Sequence, residues 1–512
     1  MAETPDVVET VKQGYAFEGP AIELGALLVG GTPNPVAAVR IPLSMVNRHG
    51  LVAGATGTGK TKTLQLMAEQ LSAAGVAVFA ADIKGDLSGV SQPGAQSEKL
   101  LARTKTIGQE WTASGFPTEF YALGGQGTGI PVRATITSFG PVLLSKVLSL
   151  NDVQESSLGL IFHYADQQGL TLLDLKDLRA VIQYLSGDEG KEDLKQLGGL
   201  SRATAGVILR ALIGFADQGA EAFFGEPEFD TADLMQQRDG KGVISLLELP
   251  NLQDRPALFS TFLMWLLADL FHDLPEVGDV DKPKLVFFFD EAHLLFDDAS
   301  KGFLDSIAQT VRLIRSKGVG VFFVTQTPKD VPDDVLAQLG SRVQHQLRAH
   351  TPNDAKALRA TVSTFPTSSY DLAEVLTELG IGEAIVTVMN ENGAPTPVAW
   401  TRLRAPRSLM APASAEQLTA SVQASPNSAK YTAVMDRESA YEKLAAKVQA
   451  AADRAEAEAK AQPQTEPDDE PKAQRQEKSM VEQVVGSSAF RQFARSAGRE
   501  IVRGLFGAAR RR

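Results

Sequence analysis

Gly54-Ala55-Thr56-Gly57-Thr58-Gly59-Lys60-Thr61 is the stretch whose reading decides the fold. It fits the glycine-rich phosphate-binding loop, the Walker A pattern, at every fixed position. An apolar strand at residues 50–53 leads into it, and a helix at about residues 60–74, closed by Gly75, leads out. Glycines let the backbone wrap a phosphate with its N–H groups, and the helix start adds partial positive charge. Gly54, Ala55, Thr56, Gly57, Thr58, Gly59, Lys60 and Thr61 are therefore the expected nucleotide-binding residues. Lys60 reaches the β- and γ-phosphates of ATP, and Thr61 ligates Mg²⁺. The alternative is a chance glycine-rich turn, which the full spacing and the flanking elements argue against.

Outward from the loop, three more strand ends carry polar groups. Leu285–Phe289 is an apolar run ending in Asp290-Glu291. Asp290 is placed to hold the Mg²⁺ shell, and Glu291 to polarise the attacking water as a general base. His293, two residues on, reads as a structural histidine near the strand exit. Val319–Thr325 ends in Gln326, which either orients the lytic water or caps the turn before Pro328. Residues 76–81 form an apolar strand ending in Asp82-Ile83-Lys84-Gly85-Asp86. In a parallel sheet the strand carboxyl ends line the ligand crevice, so Asp82 is expected near the phosphates unless its turn is merely solvated. Arg312 and Arg315 lie on the helix before the Gln326 strand. Either is a candidate finger for transition-state charge, Arg315 the better one, against ordinary pairing with Asp297 or Asp298. Arg48 and His49 read as surface residues.

Composition bounds the answer. The chain has 512 residues, 43% hydrophobic and 22% charged, enough for a large buried core. It has no cysteine, which excludes disulfides, thiolate metal sites and a cysteine nucleophile. The acidic N-terminus is unlike a secretory signal. The longest apolar stretch, residues 259–270, falls short of the roughly 20 residues that span a bilayer. The expectation is a cytoplasmic protein. A formal net charge of −12 rules out a basic surface covering the whole molecule, so any contact with DNA is local.

The pattern of elements predicts an α/β fold with a mostly parallel sheet, a large helical insertion and a helical and disordered C-terminal extension. Residues 1–35 read as a lead-in. Residues 36–94 and 276–410 read as the core. Residues 95–275 read as a mostly helical insertion with one core strand near residues 243–247. Residues 411–460 read as a helical extension and 461–480 as a proline- and acid-rich disordered linker. Residues 481–512 read as a basic amphipathic tail. Arg491, Arg495, Arg499 and Arg503 share one helical face there, with Phe490, Phe493, Ile501, Leu505 and Phe506 interleaved. Such a tail suits nucleic acid, an anionic membrane or an acidic partner, or else docks on its own acidic body.

Taken together, Arg48-His49-Gly50, the Gly54–Thr61 loop, Asp82-Ile83-Lys84-Gly85-Asp86, Asp290-Glu291-Ala292-His293 and Thr325-Gln326-Thr327-Pro328 resemble the HerA-like branch of the HerA/FtsK ATPases. The resemblance covers roughly residues 15–405. It implies a RecA-like core with an extra strand between the two Walker motifs, assembled as a homo-hexameric ring that translocates double-stranded DNA alongside a nuclease. Lys60, Thr61, Asp82, Asp290, Glu291 and Gln326 match family functional positions, and Arg315 matches a family arginine less closely. Two features depart from the family: no N-terminal β-barrel is recognisable, and Asp86 stands where glutamate is more usual. The competing expectations are a motor that moves or remodels protein, as related secretion ATPases do, and a non-motor nucleotide-dependent scaffold.

Overall fold

Phe287, Phe288 and Phe289 show why the chain builds a sheet buried on both faces. Aromatic and β-branched side chains suit a pleated strand, and a run without polar alternation needs cover on each side. Phe287 packs on Phe79 at 5.1 Å between ring centroids, Phe288 on Phe322 at 5.4 Å and Phe289 on Phe323 at 5.6 Å. Each fully buried ring contributes about 2–3 kcal/mol.

The structure, a computed structural model, describes residues 6–196, 199–249, 256–297 and 301–461. Its strands are β1 (Ala21–Val29), β2 (Thr32–Pro42), β3 (Gly50–Ala53), β4 (Ala77–Asp82), β5 (Thr118–Leu123), β6 (Ile130–Val132), β7 (Gln237–Arg238), β8 (Lys241–Gly242), β9 (Ile244–Glu248), β10 (Leu285–Phe289), β11 (Val319–Thr325), β12 (Ser341–Gln344), β13 (Glu383–Thr387) and β14 (Ala399–Leu403). All but the β7–β8 ribbon join one 12-stranded sheet in the order β2-β1-β14-β13-β12-β3-β11-β10-β4-β9-β5-β6. From β12 to β6 every neighbouring pair is parallel, and from β12 to β2 every pair is antiparallel. Burial follows this division. Strands β3, β4, β9, β10 and β11 are buried at every residue, whereas β14 alternates buried and half-buried positions. Strand β11 lies between β3 and β10, the extra strand expected between the two Walker motifs. No helix among the described residues is long and apolar enough to cross a membrane.

Two expectations are corrected here. Residues 1–35 are not a lead-in. They carry the helix Val7–Gly14, strand β1 and the start of β2, and the β1–β2 hairpin extends the sheet from β14, with Gly25 opposite Leu403. The stretch 95–275 holds three strands of the main sheet, not one, because β5 and β6 pair in parallel beyond β9. The rest of the stretch is largely helical, from Glu98–Thr106 to Pro256–Asp273. Among the described residues, a second compact unit comprises stretches within 135–142, 150–214 and 436–461. Within it the helix Ala440–Ala461 returns to pack on Leu175–Ser186, and the buried Asp177 carboxylate accepts from the Tyr441 amide at 2.9 Å and the Ser439 hydroxyl at 2.5 Å. The basic tail at 481–512 and nearly all of the linker before it lie outside the described residues.

Candidate functional site

The phosphate-binding loop is shaped by what packs beneath it. Gly54 sits at φ +153°, and a Cβ there would come within 2.5 Å of the His345 Cβ, so glycine is required. The buried His345 follows β12, and its Nε2 lies 2.9 Å from the Thr63 hydroxyl. This contact ties the first turn of the loop's helix, Lys60–Ala73, to the sheet. Burial, reinforced by nearby Lys60, pushes His345 down to about 4, so the ring is neutral at pH 7. The other end of the helix is also held: the Glu69 carboxylate accepts the amides of Arg407 at 2.7 Å and Ser408 at 3.1 Å.

The helix opens on Gly59, at φ +113°, with no side chain to cap it. Its first amides are therefore left for an outside anion. Lys60 folds back meanwhile, and its Nζ donates to the carbonyls of Gly54 at 2.7 Å and Ala55 at 3.2 Å. Thr58 is buried, and its hydroxyl donates to Ala55 O at 2.8 Å; Thr61 is half-buried in the first turn.

Parallel pairing aligns the polar strand ends. Ala53 of β3 pairs with Thr325 of β11, and Phe289 of β10 pairs with Phe323 of β11 and with Ala81 of β4. The loop, Asp290-Glu291, Gln326 and Asp82 thus emerge at one end of the sheet. Gly54 N donates to Thr325 O at 3.2 Å, which ties the loop to the residue before Gln326. Gln326 is exposed, and its two threonine neighbours are pinned by Asp330, whose Oδ2 accepts the Thr325 hydroxyl at 2.6 Å and the Thr327 amide at 3.0 Å.

Asp290 is 5% exposed and accepts the Glu291 amide at 2.9 Å. Burial, and then the Glu291 charge beside it, push its carboxyl up to about 7. A cation there would reverse that cost. Among the described residues no cluster of three or more acidic or histidine side chains could hold a metal alone. This donor set suits Mg²⁺, which takes one or two protein oxygens and completes its shell with phosphates and water. Uncapped amides, a retracted Lys60 and a buried carboxylate all fit a nucleotide–Mg²⁺ pair.

Glu291 has a left-handed backbone, φ +48°, and is 8% exposed. One carboxylate oxygen takes a close ion pair from Lys84 Nζ, and the other lies 3.4 Å from His293 Nδ1. Burial pushes this carboxyl up, but Lys84 more than offsets it, and the group lies below the usual glutamate range. Asp82 is buried, and its two oxygens accept the amides of Asp86 at 3.2 Å and Leu87 at 2.8 Å. Its carboxylate thus shapes the turn that presents Lys84. Lys84 was not singled out from the sequence, although the Asp-Ile-Lys-Gly-Asp motif contains it. His345 was missed too, since nothing local in its strand points toward the loop.

Arg315 lies apart from this group. It precedes β11 in the chain, so it sits at the opposite end of that strand from Gln326. Seven extended residues put the two ends roughly 20 Å apart. Its guanidinium lies 3.5 Å from Asp279, not on Asp297, and Arg48 shares the same carboxylate at 3.5 Å. Arg315 does not reach its own chain's loop. His49 is corrected: it is 2% exposed, its Nδ1 accepts the Val321 amide at 3.1 Å, and burial pushes it down to about 4. Arg312 is exposed.

The model of the helicase HerA-like C-terminal family matches residues 30–512. The DNA double-strand break repair helicase HerA of Sulfurisphaera tokodaii is 22% identical over 370 residues, 71% of this chain and 66% of that protein. The "Probable helicase MJECL08" of Methanocaldococcus jannaschii is 31% identical over 153 residues, 28% of each chain. This chain therefore spans 66% and 28% of the length of these two relatives. Among solved structures, the plasmid coupling protein TrwB in complex with the non-hydrolysable ATP analogue ADPNP superposes with a TM-score of 0.50 at 16% identity, over 79% of this chain and 95% of that one, which shows a shared fold. With the loop, the acidic strand end and the intervening strand in place, this chain belongs to the helicase HerA-like C-terminal family of P-loop ATPases.

Proposed function

We propose that this chain hydrolyses ATP with Mg²⁺ as a ring-forming motor on double-stranded DNA. The observation that carries the reading is the alignment of the Gly54–Thr61 loop, Asp290-Glu291 and Gln326 at neighbouring strand ends. In this reading Lys60 leaves its own carbonyls for the β- and γ-phosphates, while the amides of the first helical turn hold the same anion. Thr61 and Asp290 hold Mg²⁺, which when bound neutralises charge developing on the phosphoryl oxygens. Glu291 accepts the proton of the attacking water, Gln326 orients that water, and Asp82 keeps the adjoining turn in place. The family match and the repair-helicase relative support DNA as the substrate. Adding linear duplex DNA is expected to raise the steady-state ATPase rate several-fold. A rate indifferent to DNA points instead to a motor acting on protein, and nucleotide binding without turnover points to a scaffold.

Because Arg315 cannot reach its own site, any finger role belongs to a neighbouring chain's site in a closed ring, which the family resemblance gives as one of six. Arg315→Ala and Lys60→Ala are each expected to be inactive alone. Mixing the two restores part of the activity, since a Lys60→Ala chain still presents Arg315 to an intact loop next door. Mixed chains that stay as inactive as the separate ones remove the shared site.

A further inference from the structure

Lys84 lies on the very carboxylate proposed to activate water. Its Nζ pairs with one oxygen of Glu291, which is 8% exposed. The pair is built in by the fold. Ala81 of β4 is level with Phe289 of β10, so the turn after β4 rises beside Asp290 and Glu291. The Asp82 carboxylate fixes that turn through the amides of Asp86 and Leu87. A carboxylate oxygen committed to an ammonium group is a poor acceptor for a proton from water. On the ATPase reading, pairing one oxygen with Lys84 weakens the carboxylate as a base, although its second oxygen has no hydrogen-bond partner, and something must release it.

The surroundings name the competitor. Lys60 and Lys84 both lie within electrostatic reach of Asp290 and Glu291, and of each other. A bound triphosphate brings more negative charge than one Mg²⁺ removes, so both lysines gain by turning to it. Lys84 is free to do so: its side chain is 41% exposed, and a lysine stem is flexible. A diphosphate lacks the terminal group that would draw it away.

We propose that Lys84 is a γ-phosphate-dependent restraint on Glu291. It holds the carboxylate in the nucleotide-free and ADP-bound chain, and moves to the terminal phosphoryl oxygens when ATP binds, which frees Glu291 to take the water's proton. Lys84 is thus a positioning residue, and the inference rests on the ATPase reading above.

The test is nucleotide affinity of the full chain, read by displacement of a fluorescent ADP. Lys84→Met is expected to lose about tenfold in affinity for a non-hydrolysable ATP analogue and to keep ADP affinity within about twofold, the size of one charge-assisted hydrogen bond lost only with the triphosphate. Retained ADP affinity also shows that the variant is folded. In a Glu291→Gln background Lys84 has no carboxylate to leave, so analogue affinity rises, and adding Lys84→Met abolishes the rise. Equal losses for ADP and analogue, the mark of a structural clamp, overturn the proposal. So does an unchanged preference for the analogue. Lys60→Ala run alongside separates the two layers. If it loses nucleotide while Lys84→Met keeps the wild-type preference, the restraint alone fails. If Lys60→Ala binds nucleotide like wild type, the ATPase reading fails and the restraint with it.

Discussion

Glu291→Gln lowers ATP turnover by about 10²–10⁴-fold, the usual contribution of a positioned general base, and leaves ADP affinity in place. The substitution is nearly isosteric, so the loop and Asp290 keep their positions, but an amide cannot accept the water's proton. The stability cost is small, because Lys84 is 41% exposed at its side chain and finds water when its partner is neutralised. Turnover under saturating ATP, beside fluorescent ADP binding, checks both halves. Turnover close to wild type would move the base elsewhere in the site.

His345 sets the second large effect, on stability against pH. Its ring is buried under the phosphate loop, beside Thr63 and near Lys60, and burial holds it down to about 4 where an unfolded histidine titrates near 6.5. The group is neutral when folded. Between those two values the unfolded chain binds the proton and the folded chain does not, so this contribution is present above pH 6.5 and lost as pH falls toward 4. The shift corresponds to about 3 kcal/mol. The whole protein's acid limb is no measure of it, because Glu69 and Glu248, both pushed up to about 7 by burial, act with the opposite sign. The comparison that isolates it is wild type against His345→Gln in urea unfolding at several pH values. The stability gap is expected to be widest above pH 6.5 and to shrink steadily below it. A gap that stays constant from pH 7.5 to 5 would mean that His345 titrates normally.

The nucleotide site was legible because its residues sit at the ends of unmistakable apolar strands. Val319–Thr325 is bounded as read, and the loop's helix ends within one residue of expectation. What escaped was non-local. Strand β5 lies among helical patterns, and only its parallel pairing with β9, more than a hundred residues away, makes it a sheet strand. The β1–β2 hairpin turns at Gly30-Gly31, both at positive φ, but its docking on β14 depends on residues at the far end of the fold. Arg315 could be placed near the catalytic strands by sequence distance, yet sequence distance does not say which end of a strand a residue occupies. Lys84 was visible as a residue and invisible as a contact, since its partner lies 207 positions away.

The backbone at Glu291 has one more consequence, for how sequences of this kind change over time. A side chain at φ +48° carries a standing penalty of about 1 kcal/mol, and glycine at the same place would carry almost none. Mutation screened for thermal robustness alone would drift toward glycine here. A descendant that gave up turnover and kept only its architecture would show that drift at position 291 before it showed any change in the aromatic ladder beneath.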